Sequence, residues 1–182
     1  MNLTSVGDGE MSHVAAGWSF FNASDPRKAL SESWRVLQPG GVLVASSWAE
    51  TDWLRMLRTI TKVDPACIPP SIPARWAKAE SLASELEMAG YRDVTVHEVD
   101  VDIPFRWHES FVDTMMTKVT QMMTARQDLD EQQKALLAQY MTEEVRSLCS
   151  TEPGKLKAVS LVGVGVKGLF LPGPRTSNHG MR

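Results

Sequence analysis

Residues 25–48 read DPRKALSESWRVLQPGGVLVASSW, and the order of their signals decides the fold. Asp25 followed by Pro26 is a helix start: the carboxylate can accept from free amides of the first turn, and proline is harmless where its missing N–H has no partner. Leu30, Trp34 and Leu37 recur at i, i+4 and i+7, which places them on one helical face. Pro39-Gly40-Gly41 ends that helix, because proline cannot continue it and glycine accepts a left-handed turn. Val42 to Ala45 is apolar without alternation, as expected of a strand covered on both faces in a parallel sheet. Helix, glycine turn and buried strand in succession predict an α/β fold.

Outward from this stretch the pattern continues. Met11 to Ala16 is a short candidate strand, followed by a loop at Gly17 to Phe21. Downstream, Trp53, Met56, Leu57 and Ile60 predict a helix over about 50–61. The proline-rich stretch Val63 to Ala74 is either a lid or binding wall, or a plain connector. A third helix is expected over 78–89, with Leu82 and Leu86 inward and Gly90 as its stop. In the strand that follows, the apolar set moves from Val94 and Val96 to Val99, Val101 and Ile103, which implies a bulge near His97-Glu98 or a break into two strands.

Two helices are then expected, over 108–124 and 128–149. The first carries a stripe of Phe111, Met115, Val119 and Met122, widened by Val112, Met116 and Met123. Such a stripe reads as core, although its adaptable methionines would also suit an apolar pocket. In the second, Leu129, Leu136, Leu137, Tyr140, Met141 and Leu148 are expected to face one way. A closing strand spans 157–166. Residues 1–171 thus form a single domain, and 172–182 a flexible tail.

Composition bounds the function. The chain has 182 residues, 43% hydrophobic and 23% charged, with a net charge of −3. This is a globular composition, and the scattered basic residues argue against a nucleic-acid partner. Cys67 and Cys149 stand alone, and His13, His97, His108 and His179 have no metal-ligand spacing. The absence of an apolar run of about 20 residues and of a signal-like N-terminus leads to the expectation of a cytoplasmic protein without membrane contact.

The run Ala29-Leu30, Glu32, Arg35-Val36-Leu37 and Pro39-Gly40-Gly41 resembles the segment between the fourth and fifth strands of class I S-adenosylmethionine (SAM) dependent methyltransferases, of the small-molecule type. Ala89-Gly90-Tyr91 with Val94 is similar to that family's approach to its sixth strand. The resemblance covers about residues 8–103 and, more loosely, 157–167. It implies a seven-stranded sheet in which residues 11–16, 42–48, 93–103 and 157–167 stand for strands four to seven, the last inserted antiparallel.

In that family a glycine loop after the first strand and an acidic residue ending the second hold the cofactor; no room exists for them before Asp25. The expectation is therefore the C-terminal half of such a fold: a partial, Rossmann-like sheet with extra C-terminal helices. It would be tied to SAM by resemblance but bind the cofactor weakly or not at all alone. The chain is then a shortened methyltransferase acting on a small apolar acceptor, or a non-catalytic remnant that docks or self-associates through the exposed sheet edge at 11–16. A misplaced reading-frame start is a third expectation.

Candidate site residues follow. Gly17 and Trp18 fall where the family's fourth strand ends beside the methionine portion of the cofactor. Trp48 and Trp53 could line a substrate pocket, although Trp53 also fits the helix core. Trp107 and His108 precede a helix, and His108 could act as a base. A literal GxGxxG at Gly163-Val164-Gly165-Val166-Lys167-Gly168 follows a strand but opens no helix, so it reads as strand-end packing rather than a cofactor loop.

Overall fold

The stretch 25–48 folds by its local signals. In the computed structural model, which describes residues 5–123 and 129–168 (side chains of 118–123 excepted), helix α1 runs Pro26–Val36. The Asp25 carboxylate accepts from the Lys28 amide at 3.0 Å. Leu30 and Leu37 are fully buried. Gly40 takes a φ of 77°, and a Cβ on Gly41 would fall 2.8 Å from the Gln38 carbonyl oxygen, so both positions require glycine. Strand β2 then runs Leu37–Thr51.

The Glu32–Arg35 pair of the motif is structural. Arg35 donates to both Glu32 oxygens at 3.1 Å, to Asp8 at 2.6 Å and to the Val6 carbonyl. Its hydrogen bonds to the Glu32 and Asp8 carboxylates hold the guanidinium pKa above the ordinary value. The segment before the first strand is thereby tied to α1. Lys167 closes the other end, donating to the Trp34 and Leu37 carbonyls at the C-terminus of α1.

Strands β1 (Met11–Ala16), β3 (Tyr91–Phe105) and β4 (Gly154–Lys167) join β2 in one sheet of order β1-β2-β4-β3. β1 is parallel to β2, whereas β4 runs antiparallel to both β2 and β3. The last strand in sequence is thus inserted between the second and third. That is the strand order and direction the resemblance implies for its fourth to seventh strands.

Helices α2 (Asp52–Arg58), α3 (Ile60–Val63) and α4 (Ala79–Met88) lie between β2 and β3; α5 (His108–Met123) and α6 (Glu131–Leu148) lie between β3 and β4. They build two cores. α1 and α4 cover one face of the sheet, where Leu30, Leu82 and Leu86 pack on Leu43, Ala45 and Leu161. On β4, Leu156 and Leu161 differ by an odd number, so they point to opposite faces. Leu156 joins the second core, with Met56, Ile60, Phe105, Phe111, Leu137 and Met141.

Several expectations change. β3 neither breaks nor bulges at His97-Glu98; its pairing with β4 is continuous from Thr95 to Phe105. The register shift lies between Arg92 and Thr95, where Asp93 has a φ of 51°. The apolar set switches parity because different cores bury the two halves of the strand: Val94 and Val96 face the first, Ile103 the second. Val42–Ala45 is not covered on both faces, since Leu43 and Ala45 are buried while Val44 is 37% exposed.

The helix expected over 50–61 starts at Asp52, capped by Thr51, which accepts from the Leu54 amide, and it breaks at Thr59. In α6 the buried stripe is Leu137, Met141 and Val145, while Leu136 points outward. Gly163 and Gly165 lie inside β4. A Cβ there would sit 2.9 Å from Leu86 and Tyr91 respectively, so close packing accounts for both glycines. Val119, Met122, Met123 and the tail 172–182 lie outside the described side chains. No described helix is long and apolar enough to cross a membrane.

Candidate functional site

Ligands of open α/β sheets lie in the crevice outside the carboxyl ends of the strands. Three tryptophans converge there. Trp18 follows β1 by two residues, Trp48 lies near the end of β2, and Trp53 opens α2. The Trp18 and Trp48 rings stack, with centroids 4.7 Å apart and planes within 5°; Trp53 meets Trp48 edge-on at 6.5 Å. Trp53 also packs against the second core, as its place on the helix face led one to expect.

Trp18 is held in place from several sides. Its backbone adopts a φ of 45°, a left-handed conformation that costs a non-glycine residue about 1–3 kcal/mol. Its amide donates to Ser46 Oγ at 3.0 Å, its indole N–H donates to Ser160 Oγ at 3.2 Å, and its carbonyl accepts from Asn22 at 3.0 Å. The Ser160 hydroxyl in turn donates to the Ser47 carbonyl at 3.1 Å. Despite these ties Trp18 stays 43% exposed. Beside it, Gly17 faces open space: a Cβ there would meet nothing within 4 Å. A strained, braced and exposed aromatic at the mouth of a sheet is a ready contact surface.

Ser46 and Ser160, which brace Trp18, carried no signal in the sequence. They are ordinary strand residues until the β2–β4 register sets Ser46 against Val162 and Ser160 against Trp48.

Next to this cluster a cleft of about 580 Å³ opens along the end of β2, where Glu50, Asp52, Asp100, Arg55, Arg58 and Lys157 supply charges of both signs. Arg55 pairs with Glu144 at 3.1 Å, and the Lys157 amide donates to Asp52. Hydrogen bonds from Lys155 and Lys157 hold the Asp102 carboxyl below its ordinary range, and the same contact raises Lys157. The cleft therefore carries charges of both signs among apolar residues, in contrast to the tryptophan wall beside it. A smaller cleft of about 320 Å³ between α1 and α4, lined by Trp34, Glu85 and Met88, includes none of the cluster's side chains.

Trp107 and His108 are not part of this cluster. Trp107 is 50% exposed at the end of β3, with Arg106 5.6 Å from its ring centre. His108 is buried: Nδ1 lies 2.6 Å from a Glu152 oxygen and Nε2 lies 2.7 Å from the Cys149 carbonyl. Both ring nitrogens are engaged by oxygen atoms of the protein itself. The histidine ties the start of α5 to the turn before β4.

The fit to SAM is incomplete. The mouth at Gly17 and Trp18 is open and apolar, and could receive the methyl-bearing end. Of the GxGxxG run, Gly163 and Gly165 are spent inside β4, and Asp8 is engaged by Arg35. The described residues include no group of three or more His, Cys, Asp or Glu able to hold a metal ion.

Known proteins carry the same signal. A family model described as a methyltransferase domain matches residues 1–45. The methyltransferase ucsB of an Acremonium species is 36% identical over 167 residues, 92% of this chain. The methyltransferase ktnA of Aspergillus niger is 28% identical over 109 residues, 53% of this chain. The chain spans 58% of ucsB and 34% of ktnA. Among solved structures, the YcgJ protein of Bacillus subtilis aligns at a TM-score of 0.47 and 13% identity, covering 92% of this chain and 68% of that one. The resemblance read from Asp25–Trp48 thus holds across most of the chain, and with the β1-β2-β4-β3 order it identifies the chain as a relative of the class I methyltransferases.

Proposed function

We propose that this chain supplies the acceptor side of a SAM-dependent methyl transfer to a small organic molecule, in the cytosol, from a single domain over residues 1–171. The observation that carries this reading is the Trp18–Trp48–Trp53 wall at the carboxyl ends of β1 and β2. SAM brings an electrophilic methyl group on a sulfonium. What the protein adds in such reactions is alignment and exclusion of water, which needs no general acid or base. An aromatic wall suits both tasks for a flat, apolar acceptor; the charged cleft beside it suits an acceptor that also carries polar substituents.

SAM binding by this chain alone is expected to be weak or absent; the packing of Gly163 and Gly165 inside β4, where they form no loop, supports this reading. Calorimetry with SAM and S-adenosylhomocysteine is the test, and a micromolar dissociation constant would contradict that expectation. For the acceptor side, quenching of tryptophan fluorescence by planar aromatic compounds should be lost in Trp18→Ala; quenching that survives the substitution would remove the wall from the reading. A second reading, an interaction module without catalysis, is favoured by the outer edge of β1, which no described strand pairs with.

A further inference from the structure

Glu85 stands where a core residue belongs. The buried stripe of α4 is Leu82, Glu85 and Leu86, and Glu85 keeps only 7% of its surface exposed. Glutamate is almost never buried to that degree unless it is paired. Among the described residues its ion partner is Arg75, on the turn Ala74–Trp76, and their 3.9 Å approach is too long for a hydrogen bond. No described donor hydrogen-bonds this carboxylate. A buried carboxylate in that condition costs free energy that a well-placed N–H donor would offset.

Glu85 borders open space rather than packed core. It lines the cleft of about 320 Å³ between α1 and α4, a volume at the small end of the roughly 300–1,000 Å³ typical of small-molecule sites. The opposite wall is α1, which brings two pairs spaced four residues apart, Arg27 with Ser31 and Leu30 with Trp34. Arg27 and Ser31 are exposed, and among the described residues neither side chain is held by a hydrogen bond or ion pair. Trp34 is fixed from behind. Its ring meets Tyr91 edge-on at 5.0 Å, a Cβ on Gly90 would lie 3.5 Å from it, and Lys167 Nζ sits 5.4 Å from the ring centre. Met88, 64% exposed, completes the apolar part.

The chemistry of these walls selects a ligand. The Glu85 carboxylate calls for a donor group, and a charged one binds it most strongly. Arg27 offers a guanidinium fork to an anion, and Ser31 adds a hydroxyl donor. An amine without an anionic group would meet repulsion from Arg27, and an acid without an ammonium would meet repulsion from Glu85. A molecule with both charges and an apolar body between Trp34 and Met88 satisfies every wall.

We propose that the cleft between α1 and α4 binds a small zwitterion of the amino-acid type, its ammonium on Glu85, its carboxylate on Arg27 and Ser31, and its apolar side chain against Trp34. The cleft shares no side chain with the tryptophan cluster, so this site stands whether or not the methyl-transfer reading does.

The test is calorimetric titration of the 182-residue chain with L-leucine, L-methionine and L-phenylalanine. At least one should bind saturably at millimolar concentration. Its decarboxylated and deaminated analogues (for leucine, 3-methylbutylamine and 4-methylpentanoate) should each bind about tenfold more weakly or worse. Glu85→Gln should weaken the amino acid by a similar factor, with an unchanged circular dichroism spectrum. Arg27→Ala, at an exposed position, should weaken the amino acid but spare the decarboxylated amine, a selectivity that a merely structural role would not produce. If Glu85→Gln fails to fold, that selectivity decides. Trp18→Ala should leave the binding intact. No saturable binding of any of the three, analogues that bind as well as the amino acid, indifference to Arg27→Ala, or loss of binding in Trp18→Ala would each overturn the proposal. The last outcome would move the ligand to the tryptophan wall and leave the methyl-transfer reading untouched.

Discussion

Leu43 and Val44 are neighbours in β2 and point to opposite faces of the same sheet. Leu43 is fully buried beneath α1 and α4, while Val44 looks onto a face where no described helix covers it and keeps 37% of its surface exposed. Both are aliphatic, and a hydropathy pattern treats them alike. The difference teaches that an unbroken apolar run does not by itself say which of its residues are buried; the helices packed on each face decide it. Among the described residues, α1 and α4 cover one face, and the other is closed at the end held by α2, α5 and α6.

The sharpest way to break this comparison is truncation on both sides. Leu43→Ala should cost about 2–5 kcal/mol, since it leaves a cavity beneath two helices. Val44→Ala should cost about 0.5 kcal/mol or less in the free chain. Urea unfolding midpoints compare the two; equal losses would mean that the valine face is already packed.

Gly163→Val adds volume where a Cβ would already lie 2.9 Å from Leu86, and overpacking of this kind costs about 1–3 kcal/mol. Val162→Ala, one residue away on the open side, should be nearly silent in the same assay.

At the border between the covered and open regions, Trp18→Ala should remove about 0.5–1.5 kcal/mol of stacking against Trp48. Trp18→Gly should lose less, because glycine takes the left-handed backbone without strain. Near-ultraviolet circular dichroism should lose the coupled-indole signal in both variants; if alanine and glycine behave identically, backbone strain at this position is unimportant.

The smallest effect is expected at Asp102, on the surface near the charged cleft. Its carboxyl is lowered from 3.8 by Lys155 and Lys157. A lowered folded-state value means that its stabilisation is complete above pH 3.8 and fades as the pH falls through the lower folded value. Asp102→Asn should therefore unfold slightly more easily at neutral pH, and the gap from the parent should close in strong acid. Denaturation midpoints measured from pH 7 downward check this; a gap that widens in acid would reverse the sign.

Much of the architecture was legible because its signals are local. Asp25-Pro26 starts α1 and Gly90 ends α4 through backbone chemistry that needs no distant partner. Trp18, Trp48 and Trp53 were singled out by their places at strand and helix ends, and the fold brings those three together. His108 stood out as a possible base for its residue type alone, and only the approach of Glu152 and the Cys149 carbonyl turns it into a tie. Ser46, Ser160 and the charged cleft left no trace, because each depends on register between strands far apart in sequence.

The sequence by itself determined the order of helices and strands, the glycine turn at 39–41 and the kinship of the run Asp25–Trp48, since caps, turns and periodicity act over a few residues. Tertiary structure alone decided which face each apolar residue occupies. The parity change in β3 shows why: a strand's two phases are equivalent until particular helices cover them, and two separate cores claim the two halves of that strand.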